Sequence, residues 1–201
     1  MKFSYIFRFL FISIVLLSCS SPTPDAENSV LEVSKPSSNC TYSRQEKDPL
    51  GKQIRIVSEE KFFGFQFEDS AIRAYFKGND FIKGYLSCVR VDSIFGVYFE
   101  FKIYSDDAYR TYGGIKKDNK IVFILKSGKG VELTFGRTFS GNTNLTEEFS
   151  EYSSFAVLSK NDAAKLKAEQ LHRVKISWGK RDEDYVVVNP NVFINQIPCI
   201  E

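Results

Sequence analysis

The chain has 201 residues, with 27 Lys and Arg against 25 Asp and Glu and a formal net charge of +2. A nucleic-acid binder needs a basic excess to displace counterions from phosphates, so a near-balanced chain argues against that class. Phe and Tyr are abundant at 19 and 10 residues, while Met and Trp occur once each. Aromatic enrichment of this kind suits pleated, half-buried surfaces, and one β-rich domain fits the length.

At the N-terminus, Lys2 and Arg8 precede the apolar run Phe9 to Leu17, which is broken only by Ser13. A basic stretch followed by an apolar one is the order of an export signal. The run is shorter than the roughly 20 apolar residues a spanning helix needs, and it stops at Ser18-Cys19. Leu16-Leu17-Ser18-Cys19 resembles the lipobox of bacterial lipoproteins. That resemblance implies diacylglyceryl on the Cys19 sulfur, cleavage after Ser18, acylation of the new amine with a fatty acid such as palmitate, and residues 1–18 as a signal peptide. Ser20 in place of aspartate after the cysteine implies the outer membrane. Cysteine suits the role because a thiolate is nucleophilic near neutral pH. Each buried methylene adds roughly 0.8 kcal/mol, so several acyl chains hold what one cannot. Loss of Lys2 and Arg8 with the signal would bring the basic side chains from 27 to 25, level with the acidic ones. Residues 19–39, rich in Ser, Pro, Asp and Glu, read as a disordered tether. Its reach is about 25 Å by random-coil scaling, and the β-rich domain spans residues 40–201.

Within the domain, Ile54 to Val57 reads as a strand, and Lys61 to Phe67 puts Phe63, Phe65 and Phe67 on one side. Ala71 to Lys77 alternates Ile72, Ala74 and Phe76 against Arg73, Tyr75 and Lys77, which also reads as a strand. Phe81 to Val91 carries Cys88 on the side of Ile82 and Leu86, the place of a buried free thiol. The clearest pattern is Ile94 to Tyr104, with Phe95, Val97, Phe99, Phe101 and Ile103 facing one way and Tyr98, Glu100, Lys102 and Tyr104 the other. Lys120 to Lys126 and Val131 to Phe139 flank Ser127-Gly128-Lys129-Gly130, a hairpin turn. Ser159-Lys160-Asn161-Asp162 is a capping-box-like start for a short helix over Ala163 to Gln170. Leu171 to Trp178 returns to strand, with His172 on the side of Val174, Ile176 and Trp178. Gly179 to Asp184 turns the chain into a strand from Tyr185 to Val188, and Asn191 to Ile197 is either a short helix or a last extended segment. The fold expected is all-β, an antiparallel β-sandwich or open barrel of about ten strands with one short helix near the C-terminus.

Cys40-Thr41-Tyr42, the segment Asp48-Pro49-Leu50-Gly51-Lys52, the hairpin from Ile124 to Leu133, the Ser159 helix leading into Val174-Lys175-Ile176, and Cys199 resemble a group of small uncharacterised bacterial envelope lipoproteins. The resemblance covers residues 40–201 and supports the architecture; it implies no activity.

Besides Cys19 the cysteines are Cys40, Cys88 and Cys199. Three cannot all pair internally. Cys40 and Cys199 sit at the two ends of the folded region, where chain ends are often close in space, so they are the pair to join, with separate thiols as the alternative.

His172 is the only histidine, no Gly-x-Ser-x-Gly elbow occurs, and no Cys/His pair has zinc-site spacing. No catalytic residue, metal or cofactor is therefore assigned. The acidic groups Glu59-Glu60, Asp106-Asp107, Glu147-Glu148 and Asp182-Glu183-Asp184 fall at expected turns or strand ends, which suits solvated turns and leaves a glycosidase-like hydrolase as one alternative. Asp69-Ser70-Ala71 and Asp92-Ser93-Ile94 are similar to a triplet at which some Gram-negative bacteria O-glycosylate exported proteins, which makes Ser70 and Ser93 candidate sites. Tyr98 and Tyr104, with nearby Tyr109 and Tyr112, could stack on sugars. The leading expectation is a non-catalytic, lipid-anchored envelope module that binds an envelope protein or serves a structural role; a carbohydrate-binding module is the second.

Overall fold

The computed structural model describes residues 40–139, 141–144, 146 and 148–201. The signal, the lipobox with Cys19, the tether and Glu147 lie outside these residues. The strands are β1 (Tyr42–Lys47), β2 (Gln53–Val57), β3 (Glu60–Phe65), β4 (Ile82–Val91), β5 (Ile94–Ile103), β6 (Lys120–Leu125), β7 (Gly130–Thr134), β8 (Asn142–Asn144), β9 (Phe149–Val157), β10 (Leu171–Ser177) and β11 (Asp182–Val186). The helices are α1 (Ser70–Tyr75), α2 (Ala108–Tyr112), α3 (Lys160–Ala168) and α4 (Val192–Ile200). Strand pairing is antiparallel throughout, as expected for an all-β chain.

A seven-stranded sheet runs β1-β2-β4-β5-β9-β8, with β3 also paired to β4, and a four-stranded sheet runs β11-β10-β6-β7. The two sheets meet at both sides. Phe135 bridges to Ala156 and Phe63 to Val187; beside those bridges the Gly136 N–H donates to Phe155 O and the Val188 N–H to Phe62 O, both at 2.8 Å. The larger sheet therefore curls into a half-barrel that the smaller one completes. Edge groups that would otherwise seek a partner are thereby satisfied.

The interior follows from alternation. On β5, Val97, Phe99, Phe101 and Ile103 are fully buried. The Phe99 ring lies 6.1 Å from Phe123 on β6 and 5.8 Å, edge-on, from Phe135, which brings the inner faces of the two sheets into contact. Edge-to-face aromatic pairs add about 0.5–1.5 kcal/mol beyond the area they bury. α4 belongs to this core: Val192, Phe193, Ile197 and Ile200 are buried, and the Phe193 ring meets Phe123 edge-on at 4.8 Å. Burial on nearly every side explains why this helix is apolar along its length.

Several expectations need correction. Ala71 to Lys77 is not a strand but lies in and after α1. The Asp69 carboxylate accepts from the Ala71 and Ile72 N–H groups at 2.7 and 3.3 Å, an N-cap that outweighs a weak two-residue alternation. The helix stops where Lys77 and Gly78 take φ of 51° and 75°. In β3 the register shifts between Lys61 and Phe63, so Phe62 and Phe63 both turn inward. A shift between Leu171 and Arg173 likewise turns His172 out to solvent rather than toward Val174. Asp182, Glu183 and Asp184 are not a turn but belong to β11. The segment from Asn191 is a helix, and there are four helices among the described residues where one was expected.

The flank of β4 opposite β5 is interrupted. β2 pairs with Val89–Val91 and β3 with Ile82–Leu86, so Ser58 and Glu59 leave the ladder opposite Ser87 and Cys88. Buried main-chain groups need partners, and Gln196 of α4, only 1% exposed, supplies them. Its Oε1 accepts from the Cys88 N–H at 2.8 Å, and its Nε2 donates to Ser58 O at 3.2 Å and Glu60 Oε1 at 3.0 Å. Asn189 Nδ2 donates to the other Glu60 oxygen at 2.7 Å. Nearby, Cys40 and Cys199 are joined as a disulfide, with Cα atoms 5.6 Å apart, and the Tyr42 hydroxyl donates to Cys199 O at 2.8 Å. Cys88 is a buried free thiol, and burial pushes its pKa up, which makes it unreactive.

Candidate functional site

The outward face of the seven-stranded sheet carries a set of neighbouring aromatic and charged side chains. Register fixes its rows: Tyr98 stands between Ser87 of β4 and Phe155 of β9, Glu100 between Tyr85 and Ser153, and Lys102 between Lys83 and Glu151. Ser87 and Ser153 are buried within these rows, and Ser153 Oγ accepts from Arg137 Nη2 at 3.2 Å. Tyr85, Tyr98 and Tyr104 are partly exposed.

Charge on this face is held in place. Lys102 Nζ is 3.0 Å from Glu100 Oε1 and lies over the rings of Tyr85 and Phe149 at 5.7 and 5.5 Å. Its hydrogen bond to Glu100, reinforced by the charges of Glu100 and Glu151, raises its pKa and keeps it protonated. Lys83 Nζ sits 4.7 Å over the Tyr104 ring and donates to the Tyr104 hydroxyl at 3.2 Å. At the edge, Glu59 has its pKa raised, first by partial burial and then by the negative charges of Glu100 and Glu151, against the opposing pull of Lys102. Flat apolar rings beside fixed acceptors and donors can take the two sides of a sugar, its C–H face and its hydroxyls.

Of the four tyrosines singled out from sequence, Tyr98 and Tyr104 are on this face. Tyr109 is on α2, 54% exposed, with Lys180 Nζ 5.6 Å over its ring. Tyr112 is not an exposed platform. It is 4% exposed, packs 5.4 Å edge-on to Trp178, and burial pushes its hydroxyl pKa up to about 12. The helical turn of α2, closed by Gly113 at φ 71°, points Tyr109 and Tyr112 in different directions. Sequence reasoning missed Tyr85, Lys83 and Glu151. The alternation of Lys83, Tyr85 and Ser87 against Ile82, Leu86 and Cys88 was the signal for the first two.

Ser70, the first residue of α1, and Ser93, in the turn between β4 and β5, are both exposed. The acidic groups are largely engaged locally: Asp107 with Arg110 at 3.6 Å, Asp184 with Arg173 at 2.9 Å, and Glu183 with Arg181 at 2.7 Å and with the Tyr185 hydroxyl. Among the described residues no cluster of His, Cys, Asp and Glu could hold a metal ion, and no helix is long and apolar enough to cross a membrane. No protein-family model matches the chain, and neither the curated proteins nor the solved structures contain a match to it.

Proposed function

We propose that the chain is a lipid-anchored protein of the bacterial outer membrane that binds a glycan, without catalysis, on the outward face of its seven-stranded sheet. The observation that carries this reading is the lattice of Tyr98, Tyr85, Glu100, Lys102 and Glu151, in which aromatic faces and fixed charges alternate over three neighbouring strands. The anchor rests on the lipobox at Leu16 to Cys19. Labelled palmitate should enter the wild-type protein and not Cys19→Ala; uptake by the variant would remove the anchor from the proposal. Binding is tested on a panel of bacterial and plant polysaccharides by retention of the purified domain. Tyr98→Ala should abolish retention at an unchanged thermal midpoint, and failure of wild type to bind any member would contradict the glycan reading.

A second reading follows from Glu59. A carboxyl whose pKa is raised by partial burial and by the charges of Glu100 and Glu151 has the character of the acid in a hydrolytic pair. Turnover of a bound glycan, lost in Glu59→Gln, would favour hydrolysis over binding alone.

A further inference from the structure

The interruption in the sheet has a cavity of about 330 Å³ beside it, lined by Glu60, Gln196, Ser58, Thr41, Asn195 and the Cys40–Cys199 disulfide, with Val57 as an apolar wall. That volume is at the small end of the range for ligand sites. Glu60 is the one acidic side chain lining it, and among the described residues it has no ion-pair partner: its two oxygens accept one amide bond each, from Gln196 and Asn189. A carboxylate offers about four acceptor positions, so two remain open, and the amides orient the negative charge without neutralising it. Thr41 and Asn195, both at exposed positions, border the same space and bring a hydroxyl and a side-chain amide to its mouth.

We infer that this cavity is a binding site for a small ligand bearing a primary ammonium group, with Glu60 as its counter-charge and the Cys40–Cys199 disulfide as one wall. An ammonium is compact and carries three donors and no acceptor. The acceptors available are of matching number and kind: the Glu60 carboxylate, the Thr41 hydroxyl and the Asn195 carbonyl. A divalent cation is disfavoured because hard ions need several oxygen ligands, commonly more than one carboxylate. The limited volume and the Val57 and disulfide walls suit a short apolar body behind the charge. Cys40 and Cys199, 159 residues apart, meet at this wall, where the Tyr42 hydroxyl also donates to Cys199 O. The bond itself is of the kind that persists in an oxidising compartment.

The test uses the exported, disulfide-bonded protein and titrates it calorimetrically with butylammonium, with butanol as the neutral control of the same shape. Saturable binding of butylammonium in the millimolar range or tighter is expected, with butanol at least tenfold weaker. Glu60→Gln should abolish it. Because that variant also disturbs the Gln196 and Asn189 bonds, Asn195→Lys is the second test. This exposed position would place a tethered ammonium at the mouth and block the probe while leaving the thermal midpoint unchanged. Reduction of the disulfide should weaken binding at least tenfold. Absence of saturable binding, equal binding of butanol, or full affinity in Asn195→Lys would overturn the site, and full affinity after reduction would overturn the disulfide wall.

Discussion

The two faces of β5 differ in what they do for the molecule. Inward, Phe99 and Phe101 stack on each other at 6.0 Å and reach Phe123, Phe135 and Trp178, so one strand touches much of the core. Outward, Glu100 and Lys102 pair with each other, and Lys102 lies over the partly exposed ring of Tyr85. Burial stabilises in proportion to apolar area removed from water, whereas an ion pair in contact with solvent contributes far less than a buried ring. The same ten residues therefore divide into a face that holds the fold and a face that can be altered without losing it.

The largest expected effect is on the inner face. Phe99→Ala removes a fully buried ring that meets both sheets, and should destabilise the domain by about 3 to 5 kcal/mol in denaturant titration. A loss below about 1 kcal/mol would mean that the core does not close around this strand.

Next is Gln196, the buried side chain that bridges the interruption beside β4. Gln196→Leu keeps the volume but strips the partners from the Cys88 N–H, Ser58 O and one Glu60 oxygen. Each such group costs about 1–3 kcal/mol when left buried and unpaired, so a loss of about 2 to 4 kcal/mol is expected, partly relieved where the adjacent cavity admits water. Hydrogen exchange at the Cys88 amide should rise with it.

On the outer face the effects are smaller and one has the opposite sign. The folded pKa of Glu59 lies above its unfolded value. This group therefore favours folding while protonated, and that contribution is lost as pH rises through the folded pKa. Glu59→Gln should accordingly raise the thermal midpoint at pH 7 and show no such gain in acid, below the unfolded pKa. A gain that persisted at low pH would assign it to packing rather than charge. Glu100→Ala should cost about 1 kcal/mol or less, as loss of a half-buried pair with Lys102 is offset by relief of Glu59.

Legibility in the sequence follows the range of the interaction that decides each element. β5, β4, the hairpin of β6 and β7, and the Ser159 cap of α3, whose hydroxyl accepts from the Asp162 N–H at 3.1 Å, are set by neighbours a few residues away and can be read directly. α1 escaped because a cap of one residue, Asp69, overrides an apparent alternation. β9 escaped because Ser150, Ser153 and Ser154 are buried within it and mask its two-sided pattern. The extra residues in β3 and β10 flip Phe62 and His172, and such flips carry no local signature. Gln196 repairs a ladder 108 residues away, and nothing near it in the sequence announces the gap it fills. The candidate site shows the same division: Tyr98, Glu100, Lys102 and Tyr104 were legible from one strand, whereas Tyr85, Lys83 and Glu151 join them only through strand pairing.

The most direct test is a thermal scan of wild type and of the triple variant Tyr98→Ala, Lys102→Ala, Glu151→Ala, with and without a polysaccharide retained by the wild-type domain. A ligand that binds the folded state raises its midpoint by mass action. The two proteins should unfold within a degree or two of each other when alone, and the glycan should raise only the wild-type midpoint. A triple variant that still gains from the glycan, or that unfolds far below wild type without it, would contradict the division of the sheet into a structural inner face and a binding outer one.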